Sequence, residues 1–179
     1  MLKRSIPGVL LLFVSITVLL LTLVNLNNET IIIPFSMSSG ESGTIKIQMP
    51  LKVWTGDQFT FSSRVVFESL PESPSPVLVG RLETSVEESI PRGEVMLGLN
   101  SNKPVTLEWR LRPYQNTVYP GTFWLWINTG DQEKLLLARE FSISSQYFMG
   151  VRIMVVRIAA ILVALAALIC TLYSFSKRK

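Results

Sequence analysis

The sequence contains no histidine and a single cysteine, Cys170, among its 179 residues. Histidine is the commonest general base and metal ligand of proteins, so its absence excludes serine–histidine catalysis and a histidine-based metal centre. One cysteine cannot form an intramolecular disulfide, so a domain outside the membrane must be held together by its apolar core. We therefore expect no cofactor, no metal site and no catalytic residue.

Charged residues are also scarce, at 17% of the chain, while 48% of the residues are hydrophobic and the mean hydropathy is +0.37. The 17 Lys and Arg residues exceed the 13 Asp and Glu residues, which gives a formal net charge of +4. Seven of the basic residues lie near the chain ends, outside the segment from Glu29 to Glu140 that holds every acidic residue. This distribution is typical of membrane topology and not of a nucleic-acid surface.

Two long uncharged runs, Ile6 to Val24 and Ile158 to Phe175, contain 19 and 18 residues. As helices they would be roughly 28 and 27 Å long, close to the ~30 Å hydrocarbon core of a bilayer. We predict a transmembrane helix over residues 6–26, and a juxtamembrane segment with a second transmembrane helix over residues 147–176. No small-residue cleavage pattern follows the first run, which favours an uncleaved signal anchor over a cleaved signal peptide.

Positive charge beside the two runs predicts their orientation. Five Lys and Arg residues lie in the terminal segments 1–5 and 177–179, against two at the inner side of the second run. The positive-inside rule places both termini in the cytoplasm and the middle of the chain outside. The absence of cysteine from this middle part fits an integral protein of a bacterial cytoplasmic membrane. The residues that we expect at the membrane interface, with the arginines extending to lipid headgroups, are Tyr147, Phe148, Arg152 and Arg157.

Both runs carry small residues at helical spacing, which permits close contact between helices. The predicted packing seam consists of Gly8, Ser15 and Thr22 in the first run and of Ala160, Ala164, Ala167 and Thr171 in the second. One interpretation is that the two helices pack on each other as a hairpin. The other is that one seam contacts helices of a larger complex, so that the partners of the chain are the lipid bilayer and other membrane protein subunits.

Between the runs the sequence changes to short alternating segments separated by Gly, Pro and Ser, which is an all-β pattern. We predict a flexible stalk over residues 27–43, with an extended piece at Ile31 to Phe35, and a β-sandwich over residues 44–146. The seven predicted strands are Ile45–Val53, Gln58–Phe67, Val77–Glu83, Val95–Leu99, Val105–Arg112, Thr122–Asn128 and Leu135–Ile143.

Two stretches of this middle part, Val53–Phe61 and Tyr119–Leu125, resemble strand entries of immunoglobulin-like sandwiches in extracytoplasmic bacterial proteins. The resemblance covers about two strands, lacks the cysteine pair of antibody domains, and implies a fold but no activity. Together with the apolar runs, it leads to the predicted fold class, an all-β immunoglobulin-like sandwich flanked by two transmembrane α-helices.

The segment Phe123–Ile127 alternates Phe, Trp, Leu, Trp and Ile, so a strand must turn both Trp124 and Trp126 to one side. The predicted strand before it offers Arg110 and Arg112, if the two strands form a hairpin. One interpretation is a cation–π ladder in which the guanidinium groups stack on the indoles. The alternative is that these four side chains form an interaction surface for another subunit or for the bilayer interface.

Glu83, Glu87 and Glu88 offer carboxylates for acid–base chemistry, but the last two precede a turn-rich segment and are interpreted as solvated loop residues. We therefore expect a non-enzymatic protein, without nucleic-acid or small-molecule substrate, that acts as an accessory, assembly or scaffolding subunit of a membrane protein complex. The alternative is a membrane-anchored ligand-binding module for a peptide, glycan or cell-envelope component, which a concave pocket at the loops would favour.

Overall fold

The computed structural model of the chain describes residues 6–23, 28–38, 40–69, 76–99, 103–130 and 132–176. The chain divides into a helical unit, Met1–Asn25 with Tyr147–Lys179, and a strand unit, Leu26–Gln146. The predicted terminal segments 1–5 and 177–179 lie outside the described residues.

The described part of the strand unit contains ten strands, which form two five-stranded sheets. In chain order they are β1 (Asn28–Ser36), β2 (Ser42–Pro50), β3 (Lys52–Trp54), β4 (Phe59–Ser69), β5 (Val77–Thr84), β6 (Glu88–Ile90), β7 (Glu94–Gly98), β8 (Val105–Arg112), β9 (Val118–Asn128) and β10 (Glu133–Gln146). The first sheet has the order β1-β2-β4-β8-β6, and the second has the order β3-β10-β9-β5-β7. Neighbouring strands are antiparallel except for β3, which lies parallel to β10.

The strand order is that of an immunoglobulin-like sandwich. In the constant-type immunoglobulin fold, one sheet has the strand order A-B-E-D and the other contains C, F and G. Here β2, β4, β8 and β6 occupy the A, B, E and D positions, and β5, β9 and β10 occupy the C, F and G positions. The additional strands β1, β3 and β7 extend the sheets at their edges.

Three aromatic side chains join the two sheets at the centre of the core. Phe61 on β4 and Trp109 on β8 come from the first sheet, Phe123 on β9 comes from the second, and none is more than 1% exposed. Their ring centroids lie 5.2 to 6.0 Å apart in tilted and edge-to-face arrangements. Gly80 on β5 has no room for a side chain, because a Cβ there would lie 2.7 Å from Leu107 and 3.0 Å from Trp109.

The prediction of a flexible stalk over residues 27–43 is wrong for residues 28–36, which form β1 at the edge of the first sheet. Asn27 and Ser39 lie outside the described residues. Alternate side chains of β1 pack against the core, namely Ile31, Ile33 and Phe35. The intervening Ile32 is apolar as well, so the sequence shows no clear alternation, and Pro34 is tolerated because an edge strand has no partner on one side.

The predicted strand Ile45–Val53 is two strands, because the chain leaves the first sheet at the end of β2 and enters the second sheet with β3. Proline ends the first of them, at Pro50, and Leu51 connects the two. The short strand β6 was not predicted, since its three residues are too few to show a period.

The helical unit contains α1 (Ile6–Leu23) and α2 (Ile153–Ser176). Among the described residues one helix, Ile153–Tyr173, is long and apolar enough to cross a membrane, with 21 residues and a mean hydropathy of 2.8. The first helix contributes a shorter apolar segment, Gly8–Leu23, and the last residues of the predicted span 6–26 lie outside the described part of the chain. The second helix begins at Ile153, within the predicted range 147–176 and five residues before the uncharged run.

Replacement of Gly80 by Ala is expected to lower the free energy of unfolding by about 1–3 kcal/mol, because the added methyl group would overlap Leu107 and Trp109 in a packed core. Gly98→Ala is the matched control, since no atom of the described residues lies within 4 Å of a Cβ at that position of β7. Chemical denaturation of the full-length protein in detergent micelles measures both variants. Equal stability of the two would contradict the close approach of the sheets at Gly80.

Candidate interaction surfaces

Two tryptophans lie side by side on the outer face of the second sheet. Trp124 and Trp126 alternate along β9 with Phe123, Leu125 and Ile127, which are fully buried. The indole rings are stacked, with centroids 6.1 Å apart and an angle of 6° between their planes. One set of β9 side chains therefore fills the core, and the other forms a half-exposed aromatic pair outside it.

Apolar side chains from neighbouring strands extend this pair into a patch. Strand pairing places Val79 of β5 and Leu135 of β10 opposite Trp126, and it places Met96 of β7 opposite Val79. Met96 is 63% exposed and Leu135 is 48% exposed. Val79 is buried, at 7% exposure, and does not add to the accessible surface. We call the other four residues, Trp124, Trp126, Met96 and Leu135, the Trp face.

Charged side chains border the Trp face at Trp124. Arg81 lies on β5, opposite Trp124 of β9. Its guanidinium group lies 2.7 Å from the Glu83 carboxylate and 4.0 Å from the Glu94 carboxylate. The Trp124 indole N–H donates a hydrogen bond of 3.1 Å to the other oxygen of the Glu83 carboxylate. Exposed ion pairs contribute only about 0–1 kcal/mol each, so the main effect of these contacts is to fix the orientation of the Trp124 ring.

The predicted arginine neighbours of the tryptophan pair are wrong. Arg110 and Arg112 lie on β8 in the first sheet, whereas Trp124 and Trp126 lie on β9 in the second. The two strands do not form a hairpin, because the segment between them crosses from one sheet to the other. The cation–π ladder and the four-residue surface therefore do not form, and Arg112 lies 3.5 Å from Glu88 on β6.

A hydrogen-bonded cluster of two tyrosines, two glutamates and Gln115 ties the start of β6 to the chain between β8 and the beginning of β9. The hydroxyl of Tyr119 donates to the Glu87 carboxylate at 2.9 Å and accepts the N–H of Gln115 at 3.0 Å. Tyr114 donates its N–H to Glu87 at 3.1 Å and its hydroxyl to Glu88 at 2.6 Å. Glu87 is exposed and lies outside the strands, as the interpretation of it as a loop residue expects, whereas Glu88 is half-buried and begins β6, so that interpretation is wrong for Glu88. We call these five residues the tyrosine cluster.

Tyr119 corresponds to the tyrosine corner of immunoglobulin-like sandwiches, which lies near the start of strand F and bonds to the backbone a few residues upstream. It is the second residue of β9, and its hydroxyl lies 3.2 Å from the carbonyl oxygen of Gln115. Burial raises the pKa of the Tyr119 phenol above its ordinary value, and Glu87 acts in the same direction. Sequence analysis missed this contact, because 32 residues separate Tyr119 from Glu87.

A cleft of about 620 Å³ lies where β5, β9 and β10 meet at one end of the second sheet. It is lined by Glu83, Thr84, Ser85, Pro120, Gly121, Thr122, Glu140 and Phe141. Two carboxylates give the lining a negative character. Among the described residues there is no group of three or more Asp, Glu, Cys or His side chains that could hold a metal ion.

In the helical unit, α1 and α2 pack side by side along small residues. Gly8 faces Thr171, since a Cβ on the glycine would lie 2.8 Å from the threonine hydroxyl oxygen. The buried members of the predicted seam are Ser15, Thr22, Ala160 and Ala167, and Ala164 is half-buried. The structure thus brings residues of the predicted seam on α1 and α2 together.

Arg157 binds the end of α1, which corrects the prediction that it extends to lipid headgroups. Its Nη2 donates a hydrogen bond of 2.8 Å to the carbonyl oxygen of Thr22, and its Nε lies 3.4 Å from the Thr22 hydroxyl. Thr22 belongs to the last turn of α1, where carbonyls lack intrahelical partners and the helix dipole favours a cation. Of the other predicted interface residues, Arg152 is exposed and Tyr147 and Phe148 are half-buried.

The fold thus defines an immunoglobulin-like β-sandwich with apolar helices before and after it. No protein-family model matches the sequence, and no curated protein matches it significantly. Several solved structures are similar to the chain at low sequence identity. One is a chain of the complex between zinc 2-glycoprotein and prolactin inducible protein from human seminal plasma, at 13% identity and a TM-score of 0.45, covering 66% of this chain and 97% of that one.

Two further solved structures are similar in the same way. The CARDB domain of a Pyrococcus furiosus protein in complex with di-metal ions has 11% identity and a TM-score of 0.38, and the match covers 68% of this chain and 94% of that one. A Caenorhabditis elegans member of the MSP family has 10% identity and a TM-score of 0.33, covering 54% and 94%.

Tyr119→Phe is expected to lower the free energy of unfolding by about 1–3 kcal/mol near neutral pH, because it removes the hydrogen bonds to Glu87 and Gln115. Since the pKa of Tyr119 is raised by folding, the wild-type protein loses stability as the pH rises through the ordinary tyrosine range, and the variant loses less. Denaturant titrations at about pH 7 and about pH 10.5 measure both effects.

The control for Tyr119 is Tyr114→Phe, which removes a hydroxyl from a side chain that is 40% exposed. Its stability should change less than that of Tyr119→Phe. Unchanged stability of Tyr119→Phe, or an unchanged pH dependence in that variant, would show that the buried hydroxyl does not stabilise the sandwich. Equal losses in both variants would show that burial gives the Tyr119 hydroxyl no advantage over the exposed one.

Arg157→Met is expected to destabilise the helix pair by about 1–3 kcal/mol, because it removes the charged donor from the Thr22 carbonyl oxygen. Hydrogen exchange in detergent micelles should show faster exchange at the amides in the last turn of α1. Arg152→Met removes the same charge from an exposed position and serves as the control. If both variants exchange at the wild-type rate, the contact of Arg157 does not hold the end of α1.

Proposed function

We propose that the chain is a non-enzymatic membrane protein with two spans, whose β-sandwich acts as an accessory, assembly or scaffolding subunit of a membrane protein complex. In this arrangement α1 and α2 cross a bacterial cytoplasmic membrane as a hairpin, with both termini in the cytoplasm and the sandwich outside. The observation that carries the subunit role is the Trp face, an apolar patch on a sheet surface that the sandwich itself leaves half exposed.

The exposed surface of the helical unit supports the membrane part of the proposal. Only 17% of the most apolar window of α2 is buried, and side chains such as Leu162 and Ile169 are 61% and 65% exposed. Phe13 on α1 is 71% exposed. In water this surface would cost about 25 cal/mol per Å², whereas lipid chains cover it without that cost. The excess of Lys and Arg in the terminal segments supports cytoplasmic termini.

The composition of the Trp face supports a protein partner. Trp and Met are enriched in the centres of protein interfaces, and Trp dominates their binding energy because it buries a large rigid surface. Trp124 and Trp126 are stacked on each other and Trp124 is bonded to Glu83, so little side-chain freedom remains to be lost on binding. A preformed, half-exposed apolar centre is the feature that a subunit contact requires.

The state of the candidate carboxylates supports a protein without catalysis. Glu83 is paired with Arg81 and Trp124, Glu87 accepts hydrogen bonds from Tyr119 and Tyr114, and Glu88 accepts one from Tyr114. Acid–base catalysis needs a carboxylate within hydrogen-bond reach of the substrate proton that it transfers. These three carboxylates instead join parts of the sandwich to one another.

A second candidate function, a membrane-anchored module that binds a peptide, glycan or cell-envelope component, is favoured by the cleft at β5, β9 and β10. Glu83 and Glu140 in its lining would attract a ligand with a positive group. Two variants distinguish the candidates. Glu140→Gln should weaken the binding of a positively charged ligand only if the cleft is the binding site. Substitutions in the Trp face should weaken the association with a partner subunit only if that face is the contact surface.

Trp124→Ser combined with Trp126→Ser is expected to weaken the association with a partner subunit at least about 30-fold, the loss of one interface hot spot of about 2 kcal/mol. The tagged full-length protein is purified from its native membranes in mild detergent, and the co-purifying proteins are quantified by mass spectrometry. The melting temperature should stay close to that of the wild type, because both indoles lie outside the core.

Ile90→Ser is the matched control, since Ile90 is an exposed apolar residue of the first sheet with 58% exposure. This variant should keep the partner. A wild-type protein that purifies alone as a monomer would overturn the subunit role, and full retention of the partner by the double variant would show that the Trp face is not the contact surface.

A further inference from the structure

The segment before α2 makes a tight turn with an apolar tip. Phe148 and Val151 exchange two backbone hydrogen bonds of 3.0 Å and thereby close a loop formed by Met149 and Gly150. Both loop residues have positive φ, 50° at Met149 and 81° at Gly150. This is the pattern of a type I′ turn. Met149 is 90% exposed, the highest exposure of any large hydrophobic side chain among the described residues.

Two unfavourable terms coincide at Met149 if the turn is surrounded by water. The left-handed region costs an ordinary L-residue about 1–2 kcal/mol, and the first central position of this turn strongly prefers Asn or Asp for that reason. An exposed methionine also forgoes about 1.5–3 kcal/mol that complete burial of its side chain would give. Asparagine would avoid both terms in water, so a methionine at the tip favours surroundings that are not aqueous.

The chain around the turn indicates what those surroundings are. The apolar segment Ile153–Tyr173 begins two residues after the turn, and its 21 residues span roughly 31 Å, the thickness of a hydrocarbon core. The turn therefore lies at the depth of the lipid headgroups when α2 crosses a membrane. Arg152 lies between the turn and α2 and is exposed, so it can bind anionic headgroups. Tyr147, directly before the turn, is one of the two aromatic residue types enriched at that depth.

Resting on the proposed membrane arrangement, we infer that the Phe148–Val151 turn is a lipid-binding anchor. Met149 inserts between lipid chains at the outer boundary of the bilayer, and Arg152 binds the anionic headgroups above them. The anchor fixes where α2 enters the membrane. The partner of this surface is thus the lipid itself and not a second protein.

The single native cysteine makes the depth of the turn measurable. Three single-cysteine proteins carry the same small fluorophore: the native chain with Cys170, which is exposed on α2; Met149→Cys with Cys170→Ala; and Gln132→Cys with Cys170→Ala. Gln132 is an exposed control, separated from the turn along the chain by the 14 residues of β10. All three full-length proteins are reconstituted into nanodiscs of phosphatidylethanolamine and phosphatidylglycerol that contain a spin-labelled lipid.

Lipid contact of the turn predicts that the spin-labelled lipid quenches at least about half of the emission at positions 149 and 170, and less than about a tenth at position 132. Quenching at 170 without quenching at 149 overturns the anchor and leaves the two-span proposal standing. Absence of quenching at both 149 and 170 overturns the two-span proposal together with the anchor.

Oxidation of the unmodified protein tests the anchor without any substitution. A water-soluble oxidant should convert Met149 to its sulfoxide at least about ten times more slowly in the same nanodiscs than in the guanidine-denatured chain. The fold leaves this side chain 90% exposed, so protection of that size must come from the bilayer. Oxidation of Met149 at the rate of the denatured chain overturns the anchor.

Discussion

A strand that is apolar on both faces must be covered on both, and β9 is such a strand. Its pleat sends Phe123, Leu125 and Ile127 into the core between the sheets, where they are fully buried. The same pleat sends Trp124 and Trp126 to the outer face, where only neighbouring side chains of the second sheet partly cover them. The two sets alternate along one backbone, and a slip of one residue would exchange them. The Trp face is therefore inseparable from the way in which the core is filled.

Polar contacts between distant segments complement this core. Glu41, before β2 in the first sheet, is 1% exposed and lies 3.0 Å from Lys134 on β10 in the second sheet. The hydroxyls of Thr55 and Ser145 lie 2.8 Å apart in the interior. The tyrosine cluster adds a third contact of this kind. Removing one partner of a buried pair leaves the other unpaired and costs far more than the pair itself contributes, so these contacts specify which segments meet.

Sequence analysis predicted the strands and the direction of their side chains, which depend on the local period of two. It missed the contacts between strands, which depend on the order of the strands in the sheets. The strands Val105–Arg112 and Thr122–Asn128 show clear alternation and lie within β8 and β9. The outward direction of both tryptophans follows from the same period of two. The period does not predict which strands lie beside the tryptophans. We expected β8, because it precedes β9 in the sequence, whereas the sheet places β5 and β10 beside β9. The contact between Trp124 and Glu83 joins residues 41 positions apart, and no spacing rule reaches that far.

The strand unit contains no cysteine, since the one thiol of the chain lies in α2. A sandwich of this kind has the same covalent structure in a reducing and in an oxidising compartment. Nothing inside it therefore distinguishes the two sides of a membrane. In the proposed arrangement, the basic residues beside the helices determine on which side of the membrane the sandwich lies. Moving those charges to the other ends of the helices would reverse the orientation of the protein without altering a contact of the sandwich core.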